Sequence, residues 1–298
     1  MRSSISLRWL LLLALCHSLY ALSARAQSDF DPTVTLHQLT PQIYWAEGNG
    51  GNSGILIGAE SVTVIDAKMT PQGATNMLEA IHKLTPKPVR TVILTHSDVD
   101  HINGLTAFPA GITILAHEND LKEQQEAIKR GGRMSPSPDR LPTKTVGDGK
   151  TTLSLDGFNL ELWHWGPAHT SGDLVVFLPS EKILFAGDIL TLNLTDPLIH
   201  LEKHGSPEGW LTTDRAMLAL GAERIIPGHG SLQTPAQLMP RLEAATAKYA
   251  RIVALIKQGK TLDQIKAEVD GNVQTPVAGT PHFPPFSETV YQAYTAQK

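Results

Sequence analysis

Hydrophobic and polar positions along the chain predict short strands and helices in alternation. Apolar runs bounded by turn residues are typical of strands. The predicted strands cover residues 42–45, 53–57, 62–66, 89–95, 112–116, 152–155, 159–163, 174–178, 182–186 and 224–227. Apolar residues with helical spacing predict the helices between and after them. The predicted helices cover residues 70–84, 118–129, 209–220, 236–257 and 261–269, and the last two close the chain.

Strands and helices alternate once in each half of the chain. This order favours an α/β fold with four layers, αββα, in which two sheets lie between outer helices. No linker after residue 27 is long enough to mark a domain boundary, so we expect one domain over residues 27–298. Residues 131–142 are rich in Gly, Pro and Ser and predict a mobile loop beside a site or a plain surface linker.

The first 26 residues have the pattern of a secretory signal peptide. Arg2 and Arg8 supply positive charge, residues 9–22 supply an apolar core, and Ala24-Arg25-Ala26 has the small-x-small cleavage pattern. The apolar run is shorter than the ~20 residues that span a bilayer, which weighs against a membrane anchor. We therefore expect a periplasmic or secreted protein with no stable anchor after cleavage.

Composition excludes several classes of function. The chain is 41% hydrophobic and 18% charged, with a net charge of -4 and no basic stripe, so nucleic acid is not an expected partner. The single cysteine, Cys16, lies in the signal segment, so the mature protein has no disulfide and any metal site must use nitrogen and oxygen ligands. The sequence has no nucleophile-elbow triad, Walker loop or nucleotide fingerprint, and no signal for an oligomeric state.

One stretch contains more potential metal-ligating side chains than any other. His96, Asp98, Asp100 and His101 follow directly after an apolar strand. Three further apolar runs end at Gly or Pro, and one potential metal-ligating residue follows in each case. These residues are His169, Asp188 and His229. One such residue would be unremarkable at a surface, but four strand ends of this kind predict a metal site.

The order and spacing of these strand ends resemble the metallo-β-lactamase superfamily of metal-dependent hydrolases, from about residue 42 to residue 230. The resemblance implies two metal positions with a shared ligand. The implied ligands are His96, residue 98 and His169 for one ion, Asp100, His101 and His229 for the second, and Asp188 as the bridge. It also implies a metal-bound hydroxide as nucleophile, since metals lower the pKa of water from about 15.7 toward about 7. Asp100 would orient that hydroxide and receive a proton.

Asp98 departs from the usual first motif of the family, H-x-H-x-D-H, which has histidine at this position. Three interpretations are open. Asp98 binds the first metal through oxygen, which zinc, iron and manganese all accept. Alternatively, Asp98 is too short to reach, and the protein works with one metal held by Asp100, His101 and His229. In the third interpretation catalysis is lost and the fold only binds.

The residue at position 188 narrows the choice among branches of the family. The cysteine-free lactamases carry serine there, whereas Gly187-Asp188 resembles the glyoxalase-II-like and lactonase-like hydrolases. We expect a hydrolase with one or two ions, zinc before iron or manganese, that cleaves an ester, thioester or lactone-type bond of a small molecule. The alternatives are a β-lactam hydrolase, an iron-dependent sulfur oxidoreductase and a non-catalytic metal-binding protein.

Side chains beside the metal ligands are expected to be structural. His200 and His204 follow Asp188 and could reach over the site, but exposed histidines are common and both are expected at the surface. Trp163 and Trp165 could wall a pocket. Strand alternation is instead expected to put one of them in the core and the other in solvent.

Overall fold

The protein is described here by a computed structural model that covers residues 31–132, 135–270 and 283–296. The predicted signal peptide, residues 1–26, and Cys16 lie outside the described residues. Within the described ranges, no helix is long and apolar enough to cross a membrane.

The first sheet has seven strands that follow one another in sequence order. They are β1 (Thr35–Gln38), β2 (Ile43–Glu47), β3 (Ser53–Ile57), β4 (Val62–Ile65), β5 (Val89–Ile93), β6 (Thr113–His117) and β7 (Lys144–Val146). Neighbours are antiparallel from β1 to β4 and parallel from β4 to β7. The carboxyl ends of β4, β5 and β6 therefore share one edge.

The second sheet has five strands in the order β12-β11-β10-β9-β8. They are β8 (Gly149–Leu155), β9 (Phe158–His164), β10 (Val175–Leu178), β11 (Ile183–Phe185) and β12 (Arg224–Ile226). Both β9 and β11 are antiparallel to β10, and β12 is parallel to β11. The carboxyl ends of β9, β11 and β12 consequently share one edge, and loops from that edge carry three of the seven predicted ligands.

Seven α-helices flank the sheets in the described residues. They are α1 (Pro71–Leu84), α2 (Val99–Ile102), α3 (Glu118–Arg130), α4 (Pro207–Leu218), α5 (Pro235–Lys257), α6 (Leu262–Val269) and α7 (Phe286–Ala296). Helix α1 begins where predicted because Thr70 accepts a hydrogen bond from the Gly73 N–H at 3.0 Å and Pro71 occupies the first turn.

Three apolar clusters separate four layers. Val64 of β4 packs in a cluster with Met77 of α1, whereas its neighbour Ile65 lies in the cluster between the sheets. In β10, Val176 faces that same middle cluster, and Phe177 faces the cluster built by α4 to α7. Successive strand residues point to opposite faces of a sheet, so both sheets are covered on both sides. This is the predicted αββα arrangement.

The element predictions missed two strands, β1 and β7, and two helices, α2 and α7. Strand β7 and the first strand, β1, were missed because most of their residues are at least partly exposed and form no apolar run. A third helix, α7, follows the two that were expected to close the chain. Within the 131–142 stretch, Arg140 donates hydrogen bonds to the carbonyls of Phe108 and Pro109 at 2.9 and 3.1 Å, which ties this part to the body of the protein.

Candidate metal centre

The loops at the two sheet edges bring all the sequence-predicted ligands together. They form two groups, and within each group the ligand atoms lie within 4.8 Å of one another. Site A comprises His96, Asp98, His169 and Asp188, and site B comprises Asp100, His101 and His229. Chain segments after β5, β9, β11 and β12 supply them. The convergence of strand ends therefore follows directly from the topology.

In site A, the shorter side chain of Asp98 still reaches the histidines. Its Oδ2 atom lies 3.1 Å from His169 Nε2 and 3.6 Å from His96 Nε2. Asp188 Oδ2 lies 4.0 Å from both imidazole nitrogens. A carboxylate oxygen is thus available where the family motif usually offers an imidazole.

In site B, Asp100 Oδ2 lies 3.0 Å from His229 Nε2 and 3.8 Å from His101 Nε2. The two oxygens of Asp188 point to different partners. Oδ1 lies 3.2 Å from His101 Nε2, and Oδ2 lies 3.5 Å from His229 Nε2. Asp188 therefore stands between the two sites, as a bridging carboxylate must.

Hydrogen bonds orient the ligand histidines so that Nε2 faces the centre. His169 Nδ1 lies 2.8 Å from the Leu198 carbonyl, which can only accept, so this nitrogen carries the proton. His101 Nδ1 likewise donates to Asp66 Oδ2 at 2.8 Å. Thr95 Oγ1 donates its hydrogen to Asp66 and accepts from His96 Nδ1 at 2.9 Å. In each ring Nε2 is then the nitrogen directed at the centre, where a metal can bind it in place of a proton.

Orphaned polar atoms test whether a metal fits. His96 Nε2, His101 Nε2 and Asp188 Oδ1 are buried without a hydrogen-bond partner. Buried groups of this kind are normally satisfied, so a cluster of them facing one point indicates a ligand. Nitrogen and carboxylate oxygen together suit zinc, iron or manganese. The residues present fit such ions.

Charge at the centre is concentrated in ionised carboxylates. Burial alone would raise the pKa of Asp188, but His229 and His101 hold it well below its usual range. Burial likewise opposes ionisation of Asp98, yet the Lys203 charge and hydrogen bonds from His169 and His200 hold its pKa well below the ordinary value. Several fixed negative charges in a buried site favour dications.

Two glycines allow the backbone to approach the ligands. A Cβ on Gly228 would lie 1.9 Å from Asp188 Oδ1, and a Cβ on Gly51 would lie 2.1 Å from the His101 ring. Lys68 is fully buried and donates to the Gly51 carbonyl at 2.9 Å and the Ala46 carbonyl at 2.6 Å. Burial lowers the pKa of Lys68 to about 7. These contacts hold the loop before β3 against site B.

Two residues of the loop after Asp188 were missed by the sequence argument. His200 was expected at the surface, but its side chain is only 15% exposed and its Nε2 lies 3.2 Å from Asp98 Oδ2. Lys203 forms an ion pair with Asp98 Oδ1. Burial would lower the pKa of His200, but its hydrogen bonds with Asp98 and Glu202 raise it to about 10. His204, in contrast, is exposed as expected.

Comparison with known families accounts for this arrangement. The sequence pattern described as the Metallo-beta-lactamase superfamily matches residues 46–229, which contain both sites. The chain belongs to this superfamily. Among curated relatives of the metallo-β-lactamase superfamily, the 2,4-dinitroanisole O-demethylase subunit alpha of Nocardioides sp. (strain JS1661) is 27% identical over 67% of this chain. The chain spans 59% of the length of that subunit.

Two further metallo-β-lactamase superfamily relatives are covered over most of their length. The metallo-beta-lactamase type 2 of Bacillus sp. (strain 170) is 25% identical over 71% of this chain and 82% of its own. A solved metallo-beta-lactamase from Pontibacter korlensis superimposes with a TM-score of 0.62 at 20% identity, over 72% of this chain and 99% of that one. This likeness supports the superfamily's αββα fold.

The side chains of Trp163 and Trp165 are not arranged as expected. Trp163 and Trp165 stack at 5.2 Å between ring centroids, and both are partly buried against the core. The expectation of one core and one solvent-facing ring was wrong, because Trp165 directly follows β9 and residues two apart along extended chain point to the same side. His164, between them, is buried on the opposite face and stacks on His117 at 3.8 Å.

A third cluster lies outside the metallo-β-lactamase ligand set. The Nε2 atoms of His117 and His164 lie 3.4 and 3.5 Å from Asp148 Oδ1. However, His117 Nδ1 accepts the Asn119 N–H at the start of α3, so the neutral ring carries its proton on Nε2. That Nε2 lies 3.4 Å from Asp148 Oδ1 without a hydrogen bond to it. The cluster therefore supports the start of α3 instead of presenting two free nitrogens to a metal.

Proposed function

We propose that this protein is an exported metal-dependent hydrolase that cleaves an ester, thioester or lactone-type bond of a small molecule. The observation that carries the proposal is the position of Asp188. Its carboxylate lies 3.2 Å from His101 Nε2 and 3.5 Å from His229 Nε2, and 4.0 Å from both histidines of site A. A carboxylate between two ligand groups suits a two-ion hydrolase better than the serine of cysteine-free lactamases does.

The metal contributes the chemistry that amino acids lack. When bound, zinc or a related ion supplies acidified water as the nucleophile and polarises the substrate oxygen. His96, Asp98 and His169 would hold one ion, Asp100, His101 and His229 the other, and Asp188 both. Because Asp98 adds negative charge, iron or manganese is the next candidate after zinc.

Asp100 has the position of a proton acceptor. Its side chain is 21% exposed, whereas Asp188 is almost fully buried, so Asp100 is the carboxylate that faces incoming substrate and water. Burial opposes ionisation of Asp100, but His101 and His229 lower its pKa overall, so the group is ionised. An ionised carboxylate within reach of the nucleophile orients it and accepts its proton.

The exposed groups at the centre support a choice of substrate class. His229 and Asp100 are each 21% exposed, and the Phe283 ring lies 6.0 Å from that of His200 while remaining 43% exposed itself. We expect a small molecule at this opening to meet polar groups of the centre and, on the side of His200, the apolar Phe283 ring. Such a mixture favours a compact ester or lactone with an apolar substituent.

Export belongs to the proposal because of the sequence pattern over residues 1–26. Mass spectrometry of the protein recovered from the periplasm of a bacterial host should give a mature chain that starts at Gln27. Recovery of the uncleaved chain in the cytoplasm or membrane would contradict export without affecting the hydrolase proposal.

Metal analysis followed by a substrate panel tests the function. Protein purified without added metal should hold one or two equivalents of zinc and hydrolyse an ester, a lactone or a thioester. His101→Ala should reduce turnover at least about 100-fold, and the exposed His204→Asn should leave it unchanged.

Other outcomes of the same panel would replace the proposal. Bound iron with oxygen uptake indicates the sulfur oxidoreductase, and failure to bind any metal at micromolar concentration indicates a non-enzymatic scaffold protein. The relatives supply two further substrates. Turnover restricted to nitrocefin indicates a β-lactam hydrolase, and turnover restricted to 2,4-dinitroanisole indicates an aryl ether-cleaving enzyme.

A further inference from the structure

The Asp98 carboxylate is surrounded by three imidazoles instead of two. Its Oδ2 atom lies 3.1 Å from His169 Nε2, 3.2 Å from His200 Nε2 and 3.6 Å from His96 Nε2. The His169 and His200 rings meet edge to face at 4.8 Å. One point in site A therefore has three nitrogen donors around it, although the sequence motif supplies only two of them.

His200 is presented in the same way as the other ligand histidines. Its Nδ1 lies 2.6 Å from Glu202 Oε1, a carboxylate that can only accept, so Nδ1 carries a proton and Nε2 is the nitrogen directed at Asp98 and site A. A carboxylate behind a histidine is the usual arrangement for a metal ligand, because it fixes the ring and raises its basicity. The ring is thus prepared for an ion by its neighbour.

The loop that carries His200 is anchored to the site by its backbone. The His200 N–H donates to the His169 carbonyl at 2.8 Å, and the Ser171 N–H donates to the Lys203 carbonyl at 2.9 Å. The Leu198 carbonyl accepts from His169 Nδ1 at 2.8 Å. These bonds fix His200 relative to His169, so its approach to site A is built into the fold.

Lys203 explains how Asp98 can share the site with a third imidazole. Its ammonium group binds Asp98 Oδ1 and donates to the Ser97 carbonyl at 3.2 Å and the Ser97 hydroxyl at 3.1 Å. The lysine charge offsets the carboxylate charge and holds one oxygen away from the histidines. The remaining oxygen can then act as a single ligand or turn aside toward Lys203.

We propose that His200 is a metal ligand of site A, so that this ion is held by three histidines, His96, His169 and His200, in addition to carboxylate oxygen. The nitrogen ligand absent from position 98 is supplied by the loop after Asp188. Site A then has three histidine ligands, as many as the usual motif would supply, but one of them comes from a different loop. The inference rests on the proposed function only in that the centre binds metal.

Cadmium-113 NMR of the full-chain protein labelled with nitrogen-15 histidine tests this directly. In the cadmium-loaded wild type, one cadmium signal should couple to three histidine Nε2 atoms, and a second signal should couple to the two from site B. This count requires no variant to fold. Coupling of the site A signal to two histidines alone would overturn the inference.

Variants of the same loop give an independent measurement by zinc titration against a chelating dye. His200→Gln should leave two couplings at site A and weaken zinc binding there at least tenfold, and Glu202→Ala should weaken it by about 10-fold through the loss of the orienting carboxylate. His204→Asn is the matched control, since it removes an exposed imidazole from the same loop and asparagine tolerates the left-handed backbone there (φ 56°). Unchanged zinc affinity in His200→Gln would overturn the inference.

The two proposals fail in different ways. A three-histidine signal in a protein that hydrolyses nothing supports the ligand assignment and refutes the hydrolase. A two-histidine signal in an active hydrolase does the reverse. Absence of any cadmium or zinc binding overturns both.

Discussion

Replacing Gly228 by alanine tests how closely the fold holds the bridging carboxylate. Gly228 precedes His229 and lies directly against Asp188. A Cβ at this position would be 1.9 Å from Asp188 Oδ1 and 2.8 Å from the Gly187 carbonyl carbon, whereas real Cβ atoms essentially never come closer than 3.0 Å. The backbone angle at Gly228 is not in the left-handed region, so the expected effect comes from the collision alone.

The size of the collision sets the size of the effect. Asp188 Oδ1 has to move by about 1 Å, a displacement that can lower a catalytic rate about 100-fold. Asp188 is 4% exposed and packed on every side, so part of the strain is absorbed by the surroundings. Overpacking of this kind costs about 1–3 kcal/mol in the free energy of unfolding. For a domain of this size, that corresponds to a fall in Tm of about 2–10 °C.

The assay compares Gly228→Ala with Gly147→Ala for zinc content, turnover of the best substrate and Tm. A Cβ added at Gly147 would meet no atom within 4 Å, and the backbone there is not left-handed, which makes this glycine a matched control. We expect Gly228→Ala to lose zinc affinity and about 100-fold in turnover, and Gly147→Ala to match wild type. If both variants keep wild-type zinc content and turnover, the bridging position of Asp188 is not needed and the reasoning is refuted.

Three further predictions concern charge. Lys203→Met should lower the free energy of unfolding in urea by about 2–4 kcal/mol because Asp98 is left without its cation. Adding Asp98→Asn to Lys203→Met should recover part of that loss. An equal loss in the single and the double variant would contradict the pairing of Lys203 with Asp98. Burial raises the pKa of Asp214 from 3.8 to about 7, so the folded state retains a proton that the unfolded chain releases. The stability of the wild type should therefore fall as the pH rises from 4 to 7. In Asp214→Asn the urea midpoint should change less over the same pH range. Removing metal with a chelator should lower Tm by about 5–10 °C if the ion was present at about 100 times its Kd, and re-addition of zinc should restore it.

Much of the fold and the centre followed from the sequence because both depend on strand ends. Apolar runs such as those of β3 and β10 are buried on both faces and give strong local signals. Each ligand then follows its strand by a few residues, so parallel strands bring distant ligands to one edge. Elements with exposed residues, such as β1 and β7, lack that signal and were missed for the same physical reason.

The ion pair and ring contacts of the loop after Asp188 could not be predicted in this way. His200 and Lys203 are about 100 residues from Asp98 in sequence, and no periodic pattern links them. Their approach depends on backbone hydrogen bonds to His169 and Ser171, which any residue type can make. A histidine in an irregular loop therefore looks like an ordinary surface residue until the path of the loop is known.

Asp98 connects these two kinds of information. Viewed only within residues 96–101, an aspartate in place of histidine removes a nitrogen ligand and adds a negative charge to one metal position. In three dimensions a single loop compensates both changes. His200 brings a nitrogen close to Asp98 Oδ2, and Lys203 brings a positive charge to Asp98 Oδ1. His200 compensates the lost nitrogen ligand and Lys203 compensates the added charge, so each residue should matter only while aspartate occupies position 98. Asp98→His should make Lys203 dispensable for stability, while His200 should become dispensable for zinc affinity.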